Sequence, residues 1–255
     1  MAILARLLCF IAAWLIAATG LAAALPTSDD PTPTPPSWHT SAAPVGEIIY
    51  HCTTPGTVAL TFDDGPYQHT NQILDILDAG GVKGTFFVNG QNMASIYDYQ
   101  PTVQRMMNSG HQVASHTWSH PFLSSLSRDQ ITDEMQHLDT ALESITGKSP
   151  TYMRAPYFDS PQHVVQQLGE MGYYIIQCDV DTKDYAHQEE DLIWESVRMF
   201  KEQVDAGGRL SLAHDIHPWT AKVLTQEMVN YVNEKGLRGV TVGECLGDAP
   251  GNWYR

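Results

Sequence analysis

The chain has 255 residues, of which 43% are hydrophobic and 17% charged, and it carries a formal net charge of −15. Its folding portion of roughly 200 residues suffices for one domain with a substantial core and is too short for two ordinary ones. So acidic a chain lacks the basic face that nucleic acid or an anionic membrane requires, which excludes both as partners and leaves a neutral or cationic one.

Residues 1–24 read as a secretory signal peptide: a positive charge at Arg6, the apolar run LLCFIAAWLIAATGLAAA, and small residues at Ala22 and Ala24 in an A-x-A cleavage pattern. A retained anchor is the competing reading of that run, and no second long apolar run follows it. The expected location is secreted, either extracellular or in the cell wall, with no membrane attachment after cleavage. Residues 25–46 contain TSDDPTPTPPSWHTSAAP, a Pro, Thr and Ser-rich stretch without the spaced apolar residues that bury a core, so they read as an extended linker open to O-linked sugar. Residues 47–255 remain as a single folded domain without internal repeats, expected to act as a monomer.

Within that domain, apolar and β-branched runs predict strands at 57–62, 84–88, 111–115, 152–155, 173–180, 209–213 and 239–242. Helix-period segments lie between them, including Ile73, Ile76 and Leu77, then Ile131, Met135, Leu138, Leu142 and Ile145 closed by Gly147. Alternation of this kind implies parallel strands with helices outside, an α/β fold for which a TIM-like (β/α) barrel is preferred to a doubly wound sheet. Three cysteines outlast the signal in an oxidising compartment. Cys52 opens the domain and Cys245 nearly closes it, whereas Cys178 sits in the apolar run YYIIQCDV and is expected to be buried, so Cys52 with Cys245 is the better bridge.

The unusual polar residues fall at the C-terminal ends of the predicted strands: Asp63 and Asp64, His116 and His120, Arg154, Asp181 and Asp184, His214 and Asp215. In a barrel those ends share one face. The spacing of His116 and His120 suits two imidazoles on one face of a helical turn, and Asp64 supplies a carboxylate to complete a metal site with positions left open. Its neighbour Asp63 points elsewhere on a strand end and is free to act as a general base.

In this order TFDDGP, SHTWSH, RAPYFD, DVDTKDY and LSLAHD resemble the five motifs of the polysaccharide deacetylase family, the NodB-homology domain, with the fungal chitin deacetylases as the most similar branch. The likeness spans about Cys52 to Cys245 and implies a distorted (β/α) barrel. It further implies that Asp64, His116 and His120 hold Zn2+, Co2+ or another divalent metal, that Asp63 is the base oriented by Arg154, and that His214 is the general acid set by Asp184. By the same resemblance Tyr157 offers its backbone N–H to an oxyanion and Leu212 packs near the acetyl methyl. Tyr185 stands where many members carry a groove-lining tryptophan. The activity so implied is removal of N-acetyl groups from chitin or chitooligosaccharides. An O-acetyl xylan esterase, a peptidoglycan deacetylase and a catalytically silent glycan-binding domain are the alternatives.

Overall fold

The computed structural model describes residues 44–255. The expected signal peptide and the expected linker up to residue 43 lie outside the described residues. Among those described, no helix is long and apolar enough to cross a membrane.

The chain enters through β1 (Ile48–Ile49) and continues with β2 (Thr57–Ala59), β3 (Thr61–Asp63), α1 (Thr70–Ala79), β4 (Thr85–Val88), α2 (Gln100–Asn108) and β5 (Gln112–Ser115). Then come α3 (Arg128–Thr146), β6 (Tyr152–Met153), α4 (Gln162–Glu170), β7 (Tyr174–Ile176), β8 (Val180–Asp181), α5 (Ile193–Asp205), β9 (Ser211–His214), α6 (Thr225–Glu234), β10 (Arg238–Val240) and α7 (Val242–Cys245). Eight strands form one parallel sheet in the order β1-β7-β6-β5-β4-β3-β9-β8, and β2 pairs with β10 separately. The result is the expected distorted (β/α) barrel, curled but not laddered between its edge strands β8 and β1.

Alternating side chains explain how the sheet is filled on both sides. Phe86 and Val113 join the cluster under the helices, while their neighbours Phe87 and Ala114 point into the barrel with Ile49, Tyr152, Tyr174 and Ile176. On the outside α3 buries Ile131, Met135, Leu138, Leu142 and Ile145, each contributing about 1.5–3 kcal/mol relative to exposure. This helix starts at a capping box formed by Ser127 and Gln130 and ends at Gly147, which adopts φ 74° as a left-handed cap.

The N-terminal ends of the strands are sealed by α7. Val242 N donates to the Thr85 hydroxyl at the start of β4, and Gly243 N donates to Gln112 Oε1 at the start of β5. Cys245 of this helix is disulfide-bonded to Cys52, as the cysteine positions predict. With that end closed, only the C-terminal ends of the strands are open for chemistry.

Local pairing departs from the strand predictions in several places; β6 ends at Met153 rather than 155, and β9 spans Ser211–His214 rather than 209–213. The run at 57–62 breaks at Leu60 into β2 and β3, and the run at 173–180 breaks into β7 and β8. The second break occurs because Gln177 N reaches Ile49 O and the Asp179 carboxylate takes the N–H groups of Arg209 and Leu210. Cys178 therefore sits in the irregular link between β7 and β8 and is half-buried rather than fully buried. The strand expected at 239–242 ends at Val240, because the Thr241 hydroxyl caps α7. β1 has no counterpart among the predicted strands: two residues are too short for a periodic pattern, and their partners Ile175 and Ile176 lie far along the chain.

Candidate active site

At the open end of the barrel β3 stops after Asp63, and Asp64 turns away with φ 80°. That left-handed conformation in a residue with a Cβ costs of order 1–3 kcal/mol and holds only where the surroundings fix it. Here Asp64 N donates to Phe87 O, and the next residue, Gly65, lies against the buried carboxyl of Asp215. A Cβ on Gly65 would fall 2.1 Å from Asp215 Oδ2, so only glycine fits in the turn.

His116 follows β5, and its Nδ1 is 2.8 Å from the Arg154 carbonyl. The carbonyl can only accept, so Nδ1 carries the proton and Nε2 keeps a free lone pair. His120 reaches the same point by a route the sequence did not suggest. The segment from His116 to His120 is not the helical turn expected from the spacing, but an irregular loop in which Thr117 and His120 have φ 70° and 60°. The Thr117 hydroxyl accepts from His120 N and holds the loop. Asp64 Oδ1 lies 3.0 Å from His120 Nε2 and 3.5 Å from His116 Nε2.

These three residues offer ligand atoms all within 4.8 Å of one another. Asp64 Oδ1 is buried and accepts no hydrogen bond of acceptable geometry, which an uncompensated carboxylate oxygen would not tolerate without a cation. Burial alone raises the proton affinity of Asp64, but the two imidazoles outweigh it and hold the carboxyl well below the usual range. A carboxylate oxygen facing two imidazole nitrogens is a donor set that fits a divalent metal ion.

Beside this triad, Asp63 is buried and held by the fully buried Arg154, whose Nη1 donates to Asp63 Oδ1 at 2.7 Å. The guanidinium also donates to Thr61 Oγ1, Ile176 O and Gln177 O, and it stacks 4.2 Å from the Phe87 ring centroid. Its contact with Asp63 is single, because the other nitrogens serve the carbonyls of Ile176 and Gln177.

His214 ends β9 directly beside Asp63 in the β3–β9 register. Its Nδ1 lies 2.8 Å from Asp184 Oδ1. Asp184 has no exposed surface, and it also accepts from His214 N, Tyr185 N and the Thr220 hydroxyl. Burial disfavours the His214 cation, but the Asp184 charge and hydrogen bond prevail and push its pKa up to about 10. Asp184 is lowered in turn: burial opposes ionisation, and the cation and hydrogen bonds overcome it.

A cavity of ≈ 480 Å³ joins these groups. Asp63, Asp64, His116, His120, Tyr157, Tyr185, Leu212 and His214 line it, with Arg154 and Asp184 buried behind. Every predicted site residue is thus in one place. Tyr185 packs edge-on to His214 with ring centroids 5.5 Å apart, and its hydroxyl lies 3.4 Å from Asp181 Oδ2. Tyr157 sits at φ 59°, its side chain exposed, and its N–H donates to no backbone carbonyl among the described residues.

Phe158, Ile216 and His217 also line the cavity, and Thr61 and Thr220 tether Arg154 and Asp184; none of these was singled out from sequence. Only His217 left a trace there, as the second histidine of HDIH. The threonines leave none, since a buried hydroxyl partner looks like any strand or helix threonine.

A family model described as polysaccharide deacetylase matches residues 50–176. The chain is 52% identical over 215 residues to a chitin deacetylase of a Pestalotiopsis species, covering 84% of this chain and 72% of that protein. It is 50% identical to a probable peptidoglycan-N-acetylglucosamine deacetylase of Arthroderma benhamiae, covering 86% of this chain and about half (51%) of that longer protein. Among solved structures, the chitin deacetylase of Colletotrichum lindemuthianum superposes with a TM-score of 0.81 at 44% identity, covering 83% of this chain and 96% of that one.

Proposed function

The chain belongs to the polysaccharide deacetylase family, and we propose that it is a metal-dependent chitin deacetylase, hydrolysing N-acetyl groups on β-1,4-linked N-acetylglucosamine polymers or oligomers to release acetate. The observation that carries this reading is the pairing of Asp63 with His214 on adjacent strands beside the Asp64, His116 and His120 donors. A proton acceptor and a proton donor thereby flank the place where a carbonyl would be held. Zinc is the ion that two imidazoles and a carboxylate suit best, with cobalt or another divalent metal as a substitute. Bound there, it would supply Lewis acidity toward the acetyl carbonyl and the attacking water.

The remaining chemistry is assigned to the chain's own side chains. Asp63, kept in place by Arg154, accepts the proton of the attacking water through Oδ2, which takes no hydrogen bond among the described residues. The Tyr157 N–H donates to the oxygen on which negative charge develops, and one such donor is worth about 3–4 kcal/mol in the transition state. His214, protonated through its pairing with Asp184, gives its proton to the departing amine. Leu212, buried at the cavity wall, meets the acetyl methyl, and Tyr185 lines the groove beside His214. The disulfide accords with export to an oxidising compartment, outside the cell or in its wall.

The test is acetate release and product mass spectrometry over chitin oligomers, acetylated xylan and peptidoglycan fragments. Deacetylation of the chitin oligomers supports the reading. Activity confined to xylan or peptidoglycan replaces the substrate, and activity on none of them leaves a glycan-binding domain.

A further inference from the structure

The catalytic cavity does not end the apolar surface at this face. Just beyond it the Phe122 ring stacks on Tyr157 at a centroid distance of 3.9 Å and an interplanar angle of 14°, yet the two residues remain 52% and 58% exposed. Tyr157 in turn packs edge-on to His120, with ring centroids 4.7 Å apart. The three rings form a continuous path from the metal-ligand set to the rim. Paired large aromatics with this much surface in water mark a binding site more often than a packing accident.

The platform is held in place before any ligand arrives. The Phe122 carbonyl accepts from Ser125 N and the Ser125 hydroxyl, which closes its loop into a tight turn. The Asp159 carboxylate accepts from Ser124 N at 2.7 Å and so ties the loop of Phe122 to that of Tyr157. Two loops from different parts of the barrel are thus locked with their rings stacked, and little ordering remains to be done on binding.

We infer that Phe122 on Tyr157 is a stacking subsite for the pyranose ring next to the unit being deacetylated. This inference rests on the proposed function. A cavity of ≈ 480 Å³ cannot contain a polymer, so adjoining units must leave across the rim, and the platform lies on that path. In a β-1,4-linked N-acetylglucosamine chain every ring substituent is equatorial, so each ring presents a face of axial C–H bonds. Such a face is apolar and flat and matches an aromatic ring, whose negative face attracts C–H dipoles. Phe122 is a specificity-determining residue on this reading, without a part in the chemistry.

The experiment compares kcat/KM for acetate release from N-acetylglucosamine and from chitobiose through chitopentaose in the unmodified protein, Phe122→Leu and Phe122→Trp. An aromatic contact of this kind corresponds to a factor of about 3 to 10. In Phe122→Leu the ratio of kcat/KM for the pentamer to that for the monomer, which has no adjoining ring, should fall by that factor, chiefly through KM, and Phe122→Trp should keep or raise it. Chitopentaose should also bind about 3- to 10-fold more weakly by calorimetry when Phe122→Leu is placed in an Asp63→Asn background. An unchanged ratio and unchanged binding, with active enzyme in hand, overturn the subsite alone. If the unmodified protein releases acetate from no chitin oligomer, the proposed function fails and the subsite with it.

Discussion

Arg154 Nη1 donates to Asp63 Oδ1 at 2.7 Å, with both side chains all but removed from solvent. Breaking such a pair strands the partner's charge, at a cost of about 3–5 kcal/mol. Arg154→Met should therefore lower the urea midpoint, and the double variant Arg154→Met/Asp63→Asn should recover part of the loss because the stranded charge is gone. Strictly additive losses would show that the two residues are not coupled.

The neighbouring acids are distinguished by metal content. Asp63→Asn should retain bound metal while kcat falls by the roughly 10²–10⁴ that general-base loss brings, and Asp64→Asn should release the metal. Excess zinc or cobalt should partly revive Asp64→Asn by mass action and do nothing for Asp63→Asn. Equal metal loss in both variants, measured by elemental analysis, would make the pair joint ligands.

Protonated His214 is stabilised in the fold, its pKa standing at about 10 against an ordinary value of 6.5. The folded state therefore holds a proton that the unfolded chain gives up above pH 6.5. The resulting stability is present in full below that pH and is lost as pH rises toward 10. Asp184→Asn should flatten this alkaline loss in melting temperature and move the alkaline limb of kcat/KM to lower pH. A limb that stays in place would remove His214 as the acid.

His111 behaves in the opposite sense. It is buried with Nδ1 accepting from Gly84 N and Nε2 3.2 Å from Asp78 Oδ1, an arrangement that needs the neutral ring. Burial lowers its pKa to about 4, with the Asp78 charge opposing only in part. Between pH 6.5 and 4 the unfolded chain binds the extra proton, so stability falls as the pH falls, by up to about 3 kcal/mol. His111→Leu should reduce the slope of melting temperature against pH in that window, and an unchanged slope would assign the acid sensitivity elsewhere.

The barrel and its catalytic face were legible because five of the seven strand runs stop at or contain a charged or imidazole side chain, at Asp63, His116, Arg154, Asp181 and His214, and parallel strands align those stops. The ligand set was legible in identity but not in route. Asp64, Thr117, His120 and Tyr157 all adopt positive φ without being glycine, so no local propensity announces the loops that aim them. Asp215 reads in the sequence only as one more acid at a strand end, and its contact with Gly65 reveals why the turn after the two aspartates must be bare. Phe122 was invisible for the same reason: its partner Tyr157 lies on another loop, joined to it by Asp159 and Ser124.

The disulfide between Cys52 and Cys245, separated by 193 residues, makes the domain a covalent ring. Every motif from Thr61 to Asp215 lies inside that ring. A single protease cut in any surface loop linearises the circle without shedding a fragment, so a nicked molecule keeps both halves of its catalytic face until a reductant opens the bridge. That is a form of damage tolerance written into connectivity rather than packing.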